Sequence, residues 1–65
     1  MDNDWIWVKA EEVKPGDVLA DGAKVLTTTL VGSAFVKIKY EWGSVGQSMY
    51  PGRYQRVALR SVVTD

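Results

Sequence analysis

Sixty-five residues, with hydrophobic side chains at 46%, charged side chains at 25% and neither Cys nor His, describe one small domain, because a chain this short buries only about 60% of the surface its unfolded form exposes. That composition excludes collagen-like, low-complexity and wholly disordered chains, and the missing Cys and His argue against disulfide staples, zinc sites, nucleophile triads and most acid–base hydrolysis, so no enzyme activity, cofactor or metal is expected. Formal net charge is zero, but residues 1–21 carry six acids against two lysines and residues 22–65 carry six cations against two acids, an asymmetry that can give a fold one acidic and one basic side.

Residues 1–4 and 64–65 read as flexible ends. No apolar run approaches the about 20 residues of a membrane span, and Met1-Asp2-Asn3-Asp4 lacks the basic start of a secretory signal. A cytoplasmic protein without a membrane partner is expected. Trp5-Ile6-Trp7-Val8-Lys9-Ala10 is aromatic and β-branched, which favours a strand apolar on both faces. Ala10-Glu11-Glu12-Val13 suits one helical turn, and Lys14-Pro15-Gly16-Asp17 suits a tight turn, with Pro presetting φ and Gly supplying a positive φ. Val18-Leu19-Ala20 is a short extended piece, and Asp21-Gly22 signals a hairpin.

A strand is expected from about Ala23 to Val31, stopping at Gly32-Ser33; its Thr27-Thr28-Thr29 run is good strand material and poor helix material. The clearest alternation follows, with Val36, Ile38, Tyr40 and Trp42 on one face and Lys37, Lys39 and Glu41 on the other. Residues Gly43 to Gly52 read as a ten-residue loop. A last strand from Tyr54 to about Val63 places Val57, Leu59, Ser61 and Val63 opposite Tyr54, Arg56, Ala58 and Arg60. About five short strands without a sustained 3.6-residue period predict an all-β fold, a small SH3-like antiparallel barrel or strongly bent sheet, with an OB-like barrel second.

The stretch Val8-Lys9-Ala10-Glu11-Glu12-Val13-Lys14-Pro15-Gly16-Asp17-Val18 resembles the strand, one-turn helix and Pro-Gly-Asp turn of small β-barrels, including the Hint domains of inteins and hedgehog proteins. Its Gly-Asp-Val is also similar to the opening of KOW-type SH3-like barrels. The resemblance implies a barrel architecture only. Hint chemistry needs a Cys or Ser nucleophile at the domain start and a catalytic His, and this chain has neither at a matching position.

Asp2-Asn3-Asp4 and Asp17 with Asp21-Gly22 lack the spacing of a calcium loop. Gly43-Ser44-Val45-Gly46-Gln47-Ser48 lacks the Gly-Lys-Ser/Thr ending of a phosphate-binding loop. The stronger signal is basic. If the Lys37–Lys39 strand and the last strand are neighbours, Lys37 and Lys39 line up with Tyr54, Arg56 and Arg60, with Arg53 at the loop end. Cations that neutralise phosphates and a Tyr that stacks on bases are the elements of a nucleic-acid groove. The rival reading is a protein interface or homo-oligomer through Trp5, Trp7, Met49 and Tyr50 with the 43–52 loop. Either suits a small bacterial or bacteriophage accessory protein that works as a binding module.

Overall fold

A computed structural model describes residues 5–60. The expectations for Asp2-Asn3-Asp4, for Ser61 and Val63, and for flexible ends lie outside the described residues. The strands are β1 Trp5–Lys9, β2 Lys24–Val31, β3 Phe35–Trp42, β4 Val45–Met49 and β5 Arg56–Arg60, with a 3-10 turn at Ala10–Glu12. They form two antiparallel sheets, β1–β5 and β2–β3–β4.

The all-β architecture is as the alternation predicts, but the five strands do not close into one barrel. The reason lies between the 3-10 turn and β2. Lys14-Pro15-Gly16-Asp17 is a tight turn with Gly16 at φ 96 and Asp17 N–H donating to Lys14 O at 3.1 Å, while the Asp17 carboxylate accepts from Lys14 N–H at 2.9 Å. Pro has no N–H for a ladder, and the positive φ of Gly16 and of Gly22, at 97, turns the chain out of one. The segment therefore contributes only single bridges, Val18 to Lys24 and Leu19 to Leu59, which join the sheets without merging them.

The core lies between the sheets. Ala10, Val13, Leu19, Ala23, Val25, Val36, Ile38 and Leu59 are buried, and Val8, Tyr40, Met49 and Val57 pack against them. In β3, Val36 and Ile38 fill the core as period two requires, but the same face runs past it, leaving Trp42 exposed with its ring edge-on to Tyr40 at 5.6 Å. A bulge at Leu26 breaks the β2–β3 register between Val25 and Thr27, so Val25 and then Thr28 oppose the inward Tyr40 and Ile38. An extra residue reverses the parity of everything after it, which turns Thr27 and Thr29 outward.

Two expectations are corrected. The loop expected from Gly43 to Gly52 contains β4, paired along β3 from Trp42–Val45 to Ile38–Met49. Gly43-Ser44 alone makes the connection, with Gly43 at φ 57 in the first central position, as a two-residue hairpin turn favours. The last strand is also not a neighbour of β3. Its Arg60 N–H donates to Val18 O at 2.8 Å and its Ala58 O accepts from Ala20 N–H at 3.1 Å, while its alternate residues face β1. Both edges of β5 are taken, so β3 has no place beside it.

Candidate functional site

Directly opposed residues of an antiparallel pair point to the same side. The β1–β5 register pairs Ile6 with Leu59 and Val8 with Val57, and these turn inward. It pairs Trp5 with Arg60, Trp7 with Ala58 and Lys9 with Arg56, and these turn outward. The two sets of residues that the sequence offers as rival sites, the Trp pair of the first strand and the cations of the last, therefore share one face.

Trp5 is 47% exposed and Trp7 63%. Ala58, opposite Trp7, has no side chain long enough to cover an indole. None of the residues that β1 and β5 turn outward is acidic, and Lys9 stands directly opposite Arg56, an arrangement that costs stability when nothing negative lies between. At this end of the face Tyr54 lies just before β5, its ring 5.7 Å from Lys9 Nζ and 5.1 Å from the Arg53 guanidinium carbon. Cations held over an aromatic face are attracted by its quadrupole.

Arg53 differs from the other cations because it is already partnered. Its Nε and Nη2 donate to Glu11 Oε1 at 3.0 and 2.9 Å, and Nη1 donates to Ser33 O at 3.3 Å. The hydrogen bond to Glu11 is the main cause of a guanidinium pKa above its ordinary value, with Tyr54 and the Glu11 charge acting in the same direction. The bond ties the 3-10 turn to the loop before β5, where Ala10 N–H and Glu11 N–H donate to Gln55 O and Arg53 O. Beside it an open cleft of about 220 Å³ runs between Glu11 and Arg53 on one wall and Thr28, Leu30 and Val36 on the other. Arg53 acts there as a brace, and among the described residues Lys9, Arg56 and Arg60 have no acidic partner.

The remaining sequence candidates lie elsewhere. Lys37 and Lys39 project from the outer face of β3, opposite Thr29 and Thr27, on a sheet separate from Arg56 and Arg60. Glu41 follows on that face, opposite Lys24. Met49 opposes Ile38 and packs against the core, while Tyr50 is exposed just past β4. The proposed protein-interface set is thus divided between the two sheets. Sequence reasoning left Lys9 out of the basic set although period two places it in a row with Trp5 and Trp7. Only its like-charged neighbour Arg56, brought there by the register, marks it as part of a site.

No protein family, curated protein or solved structure matches the chain. Among the described residues no helix is long and apolar enough to cross a membrane.

Proposed function

We propose that the chain is a non-catalytic, cytoplasmic binding module that holds single-stranded nucleic acid on the outward face of β1 and β5. The observation that carries this reading is the register: two exposed indoles in line with three cations that have no acidic partner among the described residues. Stacking on aromatic side chains takes any base, and cations alongside take the phosphates, so such a face binds with little sequence preference. We read the architecture as an opened SH3-like one. The pairing of first with last strand beside a separate three-stranded meander supports that reading, as does the short turn-rich link between them.

Titration with single-stranded homopolymers, followed by quenching of Trp fluorescence, tests the proposal. Three phosphate contacts at about −0.7 each give a slope of log K against log salt near −2. Absence of binding at low salt, or a slope that survives replacement of all three cations by Gln, overturns it. Binding of an acidic protein in place of nucleic acid would keep the face and change the ligand.

A further inference from the structure

The outer edge of β1 points to a second copy of this chain. In β1 the even residues bond to β5, as Ala10 N–H does to Gln55 O at 2.8 Å in continuation of that ladder. The odd residues Trp5 and Trp7 then direct their backbone N–H and C=O groups outward, and among the described residues no strand pairs with them. Lys9, next in that row, has its N–H held by Glu12 Oε1 at 3.0 Å, so the usable edge ends at Trp7. Such an edge is a template for another strand. Beneath it Ile6, on the inward side of β1, is still 47% exposed.

We propose that two copies pair antiparallel through β1, with Trp5 of each opposite Trp7 of the other and Ile6 facing Ile6 across the two-fold axis. Among the described residues this register uses every free backbone group on the edge and makes four backbone hydrogen bonds. The Ile6 pair falls at a non-hydrogen-bonded position, where Cα atoms approach to about 4.5 Å and side chains are closest, so each covers the other. The outward face gains two cross-strand Trp–Trp pairs, among the favourable combinations in sheets. Like charge does not oppose this. In the order β5–β1–β1–β5 the two β5 strands lie three spacings apart, about 14 Å, against a screening length of about 8 Å at physiological salt. The inference rests on the edge and on Ile6, independently of what the outer face binds.

Disulfide trapping reads the register, since the chain contains no Cys of its own. Ile6→Cys should form a covalent dimer on mild oxidation, because a Cα separation near 4.5 Å lies within disulfide reach of about 4.4–6.8 Å. Trp7→Cys, which faces Trp5, should form one only when mixed with Trp5→Cys. Sedimentation of the wild type without nucleic acid should show a monomer–dimer equilibrium across roughly a hundred-fold range of concentration. Ile6→Lys, an inward-pointing edge charge at a half-exposed position, should shift that equilibrium to monomer while keeping the strand signal in circular dichroism. A wild type that stays monomeric throughout, or Trp7→Cys cross-linking alone as readily as Ile6→Cys, overturns the proposal. Nucleic-acid binding by monomeric Ile6→Lys would separate failure of this dimer from failure of the binding face.

Discussion

The two sheets use the same alternation for different ends. In β2–β3–β4 the inward residues Val25, Val36 and Ile38 are buried, and most of the outward ones, Thr27, Thr29, Lys37, Lys39, Glu41 and Ser48, are side chains that keep a sheet soluble, with Val31 and Phe35 exposed only at the hairpin end. In β1–β5 the inward side contributes Leu59 with Val8 and Val57, and the outward side carries two indoles and three cations. Folding accounts for the middle of the first sheet on both faces, where its apolar side chains are buried and its outward ones polar. It accounts for only the inner face of the second, since an exposed Trp contributes little to a monomer's stability and an opposed Lys–Arg pair subtracts from it. Residues whose cost the fold does not explain are the place to look for function.

The largest effect expected from breaking this division is on stability. Ile38 is fully buried, so Ile38→Ala should destabilise by about 2–5 kcal/mol in denaturant unfolding. Ile6→Ala, on half-exposed Ile6, should cost much less in the monomer. Equal losses would mean that the second sheet carries as much of the core as the first. The next effect is on binding: replacing Lys9, Arg56 and Arg60 by Gln should remove most of the salt dependence, about 0.7 of slope per contact. Replacing Lys37 and Lys39 should leave the slope in place. If the two sets act alike, the face of β1 and β5 is not the site.

Smaller and sharper is the effect of Trp7. Trp7→Ala should weaken single-strand binding by about 1–3 kcal/mol, the worth of one stacked base, with unfolding of the monomer little changed. A large fall in monomer stability would return Trp7 to the core and remove it from the site. The smallest expected effect is that of the brace. Glu11→Gln leaves Arg53 without its ion-pair partner where both side chains are about 30% and 27% exposed, so the melting temperature should fall slightly, and less at high salt, where exposed pairs are screened. Binding should be unchanged or tightened, because a cation next to Tyr54 is released.

Much of the local structure was legible in the residues. Pro15-Gly16 could only turn the chain, Asp21-Gly22 could only reverse it, and Val36 to Trp42 alternates too regularly to be anything but a strand with one inner face. The failure at β4 was also local. Gly43-Ser44 between Trp42 and Val45 is a two-residue turn signal, but Gly46 and the polar Gln47 and Ser48 give little strand propensity, and their pairing with β3 supplies the hydrogen bonds that propensity did not promise. The bulge at Leu26 had no such signal, because the extra residue is defined only against the partner strand.

The amino-acid sequence by itself determined which residues alternate along each strand, where the chain turns, and that the chemistry available is that of carboxylates, amines, guanidinium groups and indoles. Period-two spacing and the φ preferences of Pro and Gly are properties of neighbours along the chain. Tertiary structure alone decided which strands meet. Pairing of β5 with β1, and not with β3, follows from hydrogen bonds made across roughly fifty residues of chain, and loop-closure entropy changes too slowly with length for spacing to choose between such partners. That choice put Arg56 and Arg60 beside Trp5 and Trp7 and left Lys37 and Lys39 on another sheet, while the separate pairing of β4 with β3 set Met49 against the core.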